Sequence, residues 1–508
     1  MSRPAVLAID EGTTGVTALL VGQDDAGHAR VLGKGYAEFP QHFPQPGWVE
    51  HQPEEIWQAT LTACREVLDQ VAGPPGEGPV EVVAVGITDQ RETAVLWERD
   101  TLASPRRAVV WQDRRSAGIC QRLREQGDEE RVAELTGLRL DPYFTATKLA
   151  WLAEHDQRSW AGVEDGSLAV GTVDSYLVAR LSSGARHVTD ASNASRTLLL
   201  DIRTGQWSDE LCDLFGVPRK ALPEVVPSWG EVARSDPKAF LGLDVPIAGI
   251  AGDQQAALFG QACFSVGDSK CTYGTGSFVL VNAGGEVPAS GLGEGSSGLL
   301  STVAWLSPDG ELTYAQEGSI FVTGAAVQWL RDGLQVIGSA AESEAIARTV
   351  PDSGGVVFVP ALTGLGAPEW DPHARGLIAG VTRGTTRAHL VRATLEAIAY
   401  EVRDVVAAIE SPVPVLRVDG GASANDLLMQ LQADQLGVPV ERPDVLETTG
   451  LGAAMLAGLG TGLWSSLDEL AQAWHLDRRF EPGERDDAGY RRWRAAVERA
   501  KGWSEVAG

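Results

Sequence analysis

The run Asp10-Glu11-Gly12-Thr13-Thr14 lies between two apolar stretches, Ala5 to Ile9 and Ala18 to Val21. Glycine frees backbone N–H groups to converge, and the two threonines add hydroxyl donors, a set that suits phosphate. Asp10 is a hard oxygen ligand of the kind that holds Mg²⁺, usually through water. An ordinary hairpin turn has the same composition. Asp253 follows the apolar run Pro246 to Ala251 and precedes a helix-like start, Ala256 to Phe259. It reads equally as a helix N-cap, which Asp favours, and as a general base at the carboxyl end of a strand. Arg91-Glu92 stands just past the apolar run Val82 to Thr88. It is either a solvated ion pair or a clamp for hydroxyl groups, Arg donating and Glu accepting. Trp111 and Tyr143 suit core packing or the apolar wall of a small polyol site. The run Gly420-Gly421-Ala422-Ser423-Ala424-Asn425 is a strand-to-helix loop on which a nucleotide base has room to lie.

Other chemistries find no support. There is no G-x-x-x-x-G-K-[ST] run, so this is not a P-loop protein. No G-x-S-x-G elbow occurs, and no histidines pair at metal-ligand spacing. One G-x-G-x-x-G, at Gly293, Gly295 and Gly298, has no strand before it and is set aside as a dinucleotide site.

The elements that position these residues alternate between strands and helices. Ala5 to Ile9 and Ala18 to Val21 predict a hairpin. Val82 to Thr88, Thr93 to Trp97, Ala108 to Val110 and Pro246 to Ala251 predict further strands. The run Thr272 to Ser277 feeds another apolar strand, Phe278 to Val281, in the manner of the opening hairpin. This suggests an internal duplication whose second half starts near residue 265. Val391, Leu395, Ile398, Val402 and Val405 recur at helical spacing, and Leu416 to Val418 is a short strand. Tyr490, Trp493, Val497 and Ala500 mark an amphipathic tail helix. The pattern favours an α/β class with a mixed sheet, and a domain boundary near Gly260.

The 508 residues favour two or three domains. Lys and Arg number 42 against 69 Asp and Glu, a net charge of -27. That surface repels phosphate backbones and anionic lipid, which argues against nucleic-acid and membrane partners. No apolar run approaches the ~18 residues of a membrane span. The five cysteines are scattered, with no C-x-x-C, which suits a reducing, cytoplasmic setting.

Taken together, the motifs resemble the glycerol kinase branch of the FGGY carbohydrate kinase family. They are Asp10-Glu-Gly-Thr-Thr14, Pro46-Gly-Trp-Val-Glu-His51, Gly86-Ile-Thr-Asp-Gln-Arg-Glu-Thr93, Asp141-Pro-Tyr-Phe144 and Gly171-Thr-Val-Asp174. Thr189-Asp-Ala-Ser-Asn-Ala-Ser-Arg196, Gly252-Asp-Gln-Gln-Ala-Ala-Leu-Phe-Gly-Gln261, Tyr273-Gly-Thr-Gly276 and Gln328-Trp-Leu-Arg-Asp332 continue the series. Gly364-Leu-Gly-Ala-Pro368, Arg417-Val-Asp-Gly-Gly421 and Leu451-Gly-Ala-Ala454 complete it, in one order over nearly the whole chain.

The resemblance implies two RNase H-like domains of the actin/hexokinase ATPase type, with a cleft between them. Residues 1–260 would carry the polyol site and the first phosphate loop. Residues 261–508 would carry the nucleotide site and a helical tail. The implied reaction is ATP-dependent phosphorylation of glycerol to sn-glycerol 3-phosphate, with ATP/ADP and Mg²⁺ as cofactors and a homo-oligomer, dimer or tetramer, as the assembly. Residue by residue, Arg91, Glu92, Tyr143, Asp253 and Gln254 would hydrogen-bond the polyol, and Trp111 and Phe278 would wall its carbons. Asp253 would be the general base and Asp10 would position the metal. Thr13 and Thr14 would meet the phosphates, and Thr275, Gly324, Gln328, Gly421 and Asn425 would hold the nucleotide.

The first loop departs from the family pattern. Gly15, Val16 and Thr17 stand where serines and then an Arg are common, and Glu11 stands where Gln is usual. Two alternatives follow: an FGGY kinase for another polyol or a pentulose, and a non-catalytic actin-like binding protein.

Overall fold

The computed structural model describes residues 2–24, 27–70, 79–289 and 297–506. Gly293 and Gly295, set aside above, lie outside the described residues.

A six-stranded sheet is built from β1 (Arg3–Glu11), β2 (Gly15–Gln23), β3 (Ala29–Glu38), β4 (Val80–Asp89), β5 (Trp229–Arg234) and β6 (Pro246–Gly252), in the order β5-β6-β4-β1-β2-β3. β1 to β3 form an antiparallel meander, whereas β4 runs parallel to β1 and β6 parallel to β4. Ala5 to Ile9 are fully buried. A central strand covered on both faces reads as an unbroken apolar run, as this one does. Helix α1 (Pro53–Gln70) packs across β3 and β2.

A seven-stranded sheet follows. Its strands are β7 (Ser269–Tyr273), β8 (Ser277–Gly284), β9 (Leu300–Leu306), β10 (Leu312–Ile320), β11 (Leu416–Asp419), β12 (Val440–Pro443) and β13 (Leu476–Phe480), in the order β9-β10-β8-β7-β11-β12-β13. β7, β8 and β10 repeat the antiparallel meander, and β11 and β12 add on in parallel beyond β7. The two sheets therefore share one plan, as expected of a duplication, and the second begins at Ser269. Two RNase H-like units arranged in this way are the actin/hexokinase-type fold. Equivalent tight turns join the two opening hairpins: Gly12 N–H donates to Gly15 O at 3.0 Å, and Gly274 N–H to Gly276 O at 2.9 Å.

The helices that matter for the site are α2 (Asp253–Gly260), α3 (Gly324–Asp332), α4 (Arg387–Ala407), α5 (Asp426–Leu436), α6 (Thr448–Thr461) and α7 (Asp487–Ala500). The tail helix buries Trp493, Val497 and Ala500 as its periodicity requires. Helix α6 was not anticipated. It comes late in the chain, yet it lies on the first sheet against β4 and β6 and along α2.

Glycine makes that crossing possible. A Cβ at Gly86 would sit 2.2 Å from Ala453 O, at Gly249 2.4 Å from Ala457 N, and at Gly452 1.8 Å from Ala256 O. Backbone meets backbone where no side chain intervenes. In this way α6 fixes α2, whose first residue is Asp253.

Gly452→Ala should destabilise the protein by about 3 kcal/mol, the upper end of overpacking costs, because backbone must move. Gly118→Ala, in a helix with open space around it, should leave the melting temperature unchanged or slightly raised. Equal melting temperatures for the two variants would disprove the contact.

Candidate active site

Asp10 ends β1 and pairs across the hairpin with Thr17. Among the described residues its carboxylate accepts no hydrogen bond. Burial, and then the charge of Asp253, push its pKa up to about 7. A carboxylate without a hydrogen-bond donor of its own suits a divalent cation that completes its shell with water and phosphate. No group of three or more metal-ligating side chains exists among the described residues.

Glu11 is wholly buried. Gln90 Nε2 donates to its Oε1 at 2.9 Å, and its Oε2 has no partner. Burial raises its pKa far above the carboxylate range. A neutral carboxyl is the nearest substitute for the glutamine usual at this position. Gly15 also has a local reason, since a Cβ there would lie 2.8 Å from both Tyr36 Oη and Ala37 O. Tyr36 fills the space that a serine side chain would need.

From Gln90 a chain of hydrogen bonds reaches the first phosphate loop. Thr93 Oγ1 donates to Gln90 Oε1 at 2.9 Å, Trp111 N–H to Thr93 Oγ1 at 3.2 Å, and Trp111 Nε1 to Thr13 Oγ1 at 3.0 Å. Trp111 meets Tyr143 edge-on, with ring centroids 5.6 Å apart. Thr14 is exposed at the tip of the turn.

Asp253 is the first residue of α2, and Gly252 takes the cap position. The N-cap reading of Asp253 therefore fails. Its side chain remains 31% exposed, enough to meet a substrate. Oδ1 accepts from Gln254 N–H at 2.7 Å and lies 3.1 Å from Arg91 Nε, while Oδ2 accepts from Gln254 Nε2 at 3.1 Å.

Arg91 is buried, not solvated. Its Nη1 and Nη2 grip Glu317 on β10 at 2.6 and 3.2 Å, and Nη1 also donates to Gln255 Oε1 at 3.2 Å. Glu92 stands at φ 63°, in a turn where Thr93 N–H donates to Arg91 O. A strand would send neighbouring side chains to opposite faces. This strained turn sends both into one cluster. Arg196 closes it by donating to Glu92 Oε1 at 2.7 Å and to Glu317 Oε1 at 3.0 Å. Its guanidinium lies 5.7 Å from the Tyr143 ring, and that of Arg91 lies 5.9 Å from the Phe278 ring.

Sequence reasoning did not single out Arg196 or Glu317. Arg196 at least sat inside a quoted motif; Glu317 had no local signal. Burial alone would raise the Glu317 carboxyl, but Arg196 and Arg91 outweigh it and hold the pKa at about 2.

The residues expected to hold the nucleotide form a second group. Gly274 O and Thr275 O accept from the first N–H groups of α3, including that of Gly324. A Cβ at Gly324 would sit 2.5 Å from Gly274 O. Gly420, at φ 82°, packs on the Tyr273 backbone and so brings the Gly421 loop beside the same turn. Thr275, Gln328 and Gly421 are exposed. Asn425 is already engaged: it caps α5 through Leu428 N–H at 3.0 Å, and its Nδ2 reaches Ser343 Oγ at 3.3 Å.

Two duplicated RNase H-like units, with a buried cluster of paired arginines and glutamates where they meet, have the architecture of the actin/hexokinase class. The model of the FGGY family of carbohydrate kinases matches this chain at its N-terminal domain over residues 5–260 and at its C-terminal domain over residues 269–461. The chain belongs to that family. It is 54% identical to the glycerol kinase of Aromatoleum aromaticum over 98% of this chain and 99% of that one. It is 50% identical to glycerol kinase 2 of Thermotoga maritima over the same shares. The crystal structure of Plasmodium falciparum glycerol kinase with ADP superposes with a TM-score of 0.88 at 32% identity, covering 98% of each chain.

Glu317→Gln strips the charge that two buried guanidinium groups require, so it should cost about 3–5 kcal/mol. Because the folded pKa of Glu317 is depressed, its stabilisation is complete above the unfolded value of about 4.3. It is lost as pH falls towards 2. Denaturant titrations at pH 7 and pH 3 should show the gap between wild type and variant narrowing in acid. A constant gap would contradict the assigned pKa.

Proposed function

We propose that this protein transfers the γ-phosphoryl group of ATP to glycerol, giving sn-glycerol 3-phosphate. The observation that carries the reading is Asp253, held at the mouth of a buried Arg91–Glu92–Arg196–Glu317 cluster with Asp10 as its neighbouring carboxylate. A primary alcohol is a poor nucleophile. Asp253 orients it and accepts its proton, which is general-base work. Arg91, Glu92, Tyr143 and Gln254 match the hydroxyls of a triol with donors and acceptors, and Trp111 and Phe278 flank its carbons.

Asp10 holds Mg²⁺, which when bound neutralises phosphate charge. Thr13 and Thr14 offer donors to the phosphates. Thr275, Gly324, Gln328, Gly421 and Asn425 hold the nucleotide on the second unit. Residues 1–260 and 261–508 serve as the two domains, and closure between them excludes water that would otherwise take the phosphoryl group. The five cysteines are free and buried, in keeping with a cytoplasmic protein. Among the described residues no helix is long and apolar enough to cross a membrane.

A coupled assay of ADP release with glycerol, xylulose and gluconate tests the reading. Glycerol should give the highest kcat/KM by at least about tenfold, the discrimination of a site that pairs every hydroxyl. Preference for a ketose would move the protein elsewhere in the family, and no turnover would leave a binding protein.

Asp253→Asn should keep glycerol binding and reduce kcat to below a few per cent, because Asn cannot accept the proton. Calorimetry and the coupled assay measure the two halves; a variant that still turns over well removes Asp253 as the base. Thr17 shares the sheet face of Asp10 and Tyr36, being paired with both. Thr17→Arg should therefore place a guanidinium beside the metal and phosphate region and lower the KM for MgATP. An unchanged or raised KM would mean that this loop already neutralises the phosphates by other means.

A further inference from the structure

Lys270 is a buried cation with no part in the reading above. It lies on β7, fully buried, and among the described residues no carboxylate lies within ion-pairing distance of it. Arg91 and Arg196, by contrast, are matched to Glu317 and Glu92. Lys270 Nζ donates to Gln254 Oε1 at 2.5 Å and to Thr272 Oγ1 at 2.9 Å.

An ammonium group donates and never accepts. The Gln254 atom that faces Lys270 must therefore be its carbonyl oxygen. The amide NH₂ is then turned the other way, towards Asp253, where Nε2 donates to Oδ2 at 3.1 Å. Oδ1 has partners independent of this amide: it accepts from Gln254 N–H and lies 3.1 Å from the charged Arg91 Nε. Oδ2 depends on the Gln254 amide alone. Without a cation at 270 the amide is free to flip, and two acceptor oxygens would face each other at the base.

We propose that Lys270 is a positioning residue for phosphoryl transfer, fixing the Gln254 amide so that its N–H aims at Asp253 Oδ2. This rests on the reading of Asp253 as general base for glycerol.

The test compares wild type, Lys270→Met, Gln254→Ala and the double variant in steady state with glycerol and ATP. Lys270→Met should lower kcat about tenfold or more with the KM for ATP within about twofold, the mark of an interaction made at the reacting groups. If Lys270 acts through Gln254, the double variant should match Gln254→Ala within about twofold. Losses that multiply, or a raised KM for ATP at unchanged kcat, overturn the proposal. Gln254→Glu covers a Lys270→Met protein that does not fold. It keeps the Lys270 contact as an ion pair and replaces the donor to Asp253 with a second carboxylate oxygen, so it should stay folded by its melting curve yet lose kcat about tenfold or more. Wild-type kcat in Gln254→Glu overturns the proposal equally. Glycerol turnover by wild type is measured first. Its absence refutes the functional reading and this role with it, whereas wild-type turnover with unimpaired variants refutes the role alone.

Discussion

One buried guanidinium organises the centre of this molecule. Arg91 extends from the turn after β4, grips Glu317 on the second sheet through two bonds, and touches Gln255 and Asp253 on α2. Arginine stays charged in any protein environment, so burying it obliges the surroundings to supply carboxylates. Glu317 and Glu92 do so, and Arg196 balances them in turn. Such a cluster adds little net stability against an apolar core of the same shape. What it supplies is geometry, because each member is held by at least two others. The two sheets cannot separate at this point without leaving a buried charge unpaired.

The second constraint is steric. Helix α6 approaches the first sheet and α2 so closely that only glycine fits at the crossings. Charge holds the substrate end of α2, and close packing holds its length. Asp253 is thereby fixed at the first helical turn with one edge open to solvent. Asp253 thus combines rigid support with access to solvent.

The first loop shows how a local departure is absorbed by its surroundings. Glu11 stands in place of glutamine where burial favours the uncharged form of the carboxyl, and Gly15 makes room for Tyr36. Trp111 ties Thr13 of this loop to Tyr143, whose ring it meets edge-on. Gln90, Thr93, Trp111 and Thr13 thus form one hydrogen-bonded frame.

Much of the architecture is legible in the chain itself. Apolar runs bounded by turn residues marked the opening hairpin, the strand before Asp253 and the second hairpin after Tyr273, because strand burial and turn chemistry are local properties. The order of short motifs pointed to the family. Tertiary structure alone decided which charges meet. Arg91 and Glu317 stand 226 positions apart, and no periodicity links them; they meet because two separate sheets bring their strand ends together. The same holds for α6, whose alanine- and glycine-rich sequence fits any tightly packed helix and names no neighbour. Whether Asp253 caps α2 or is its first residue likewise waited on the fold, since local sequence cannot resolve whether a helix begins at one residue or the next.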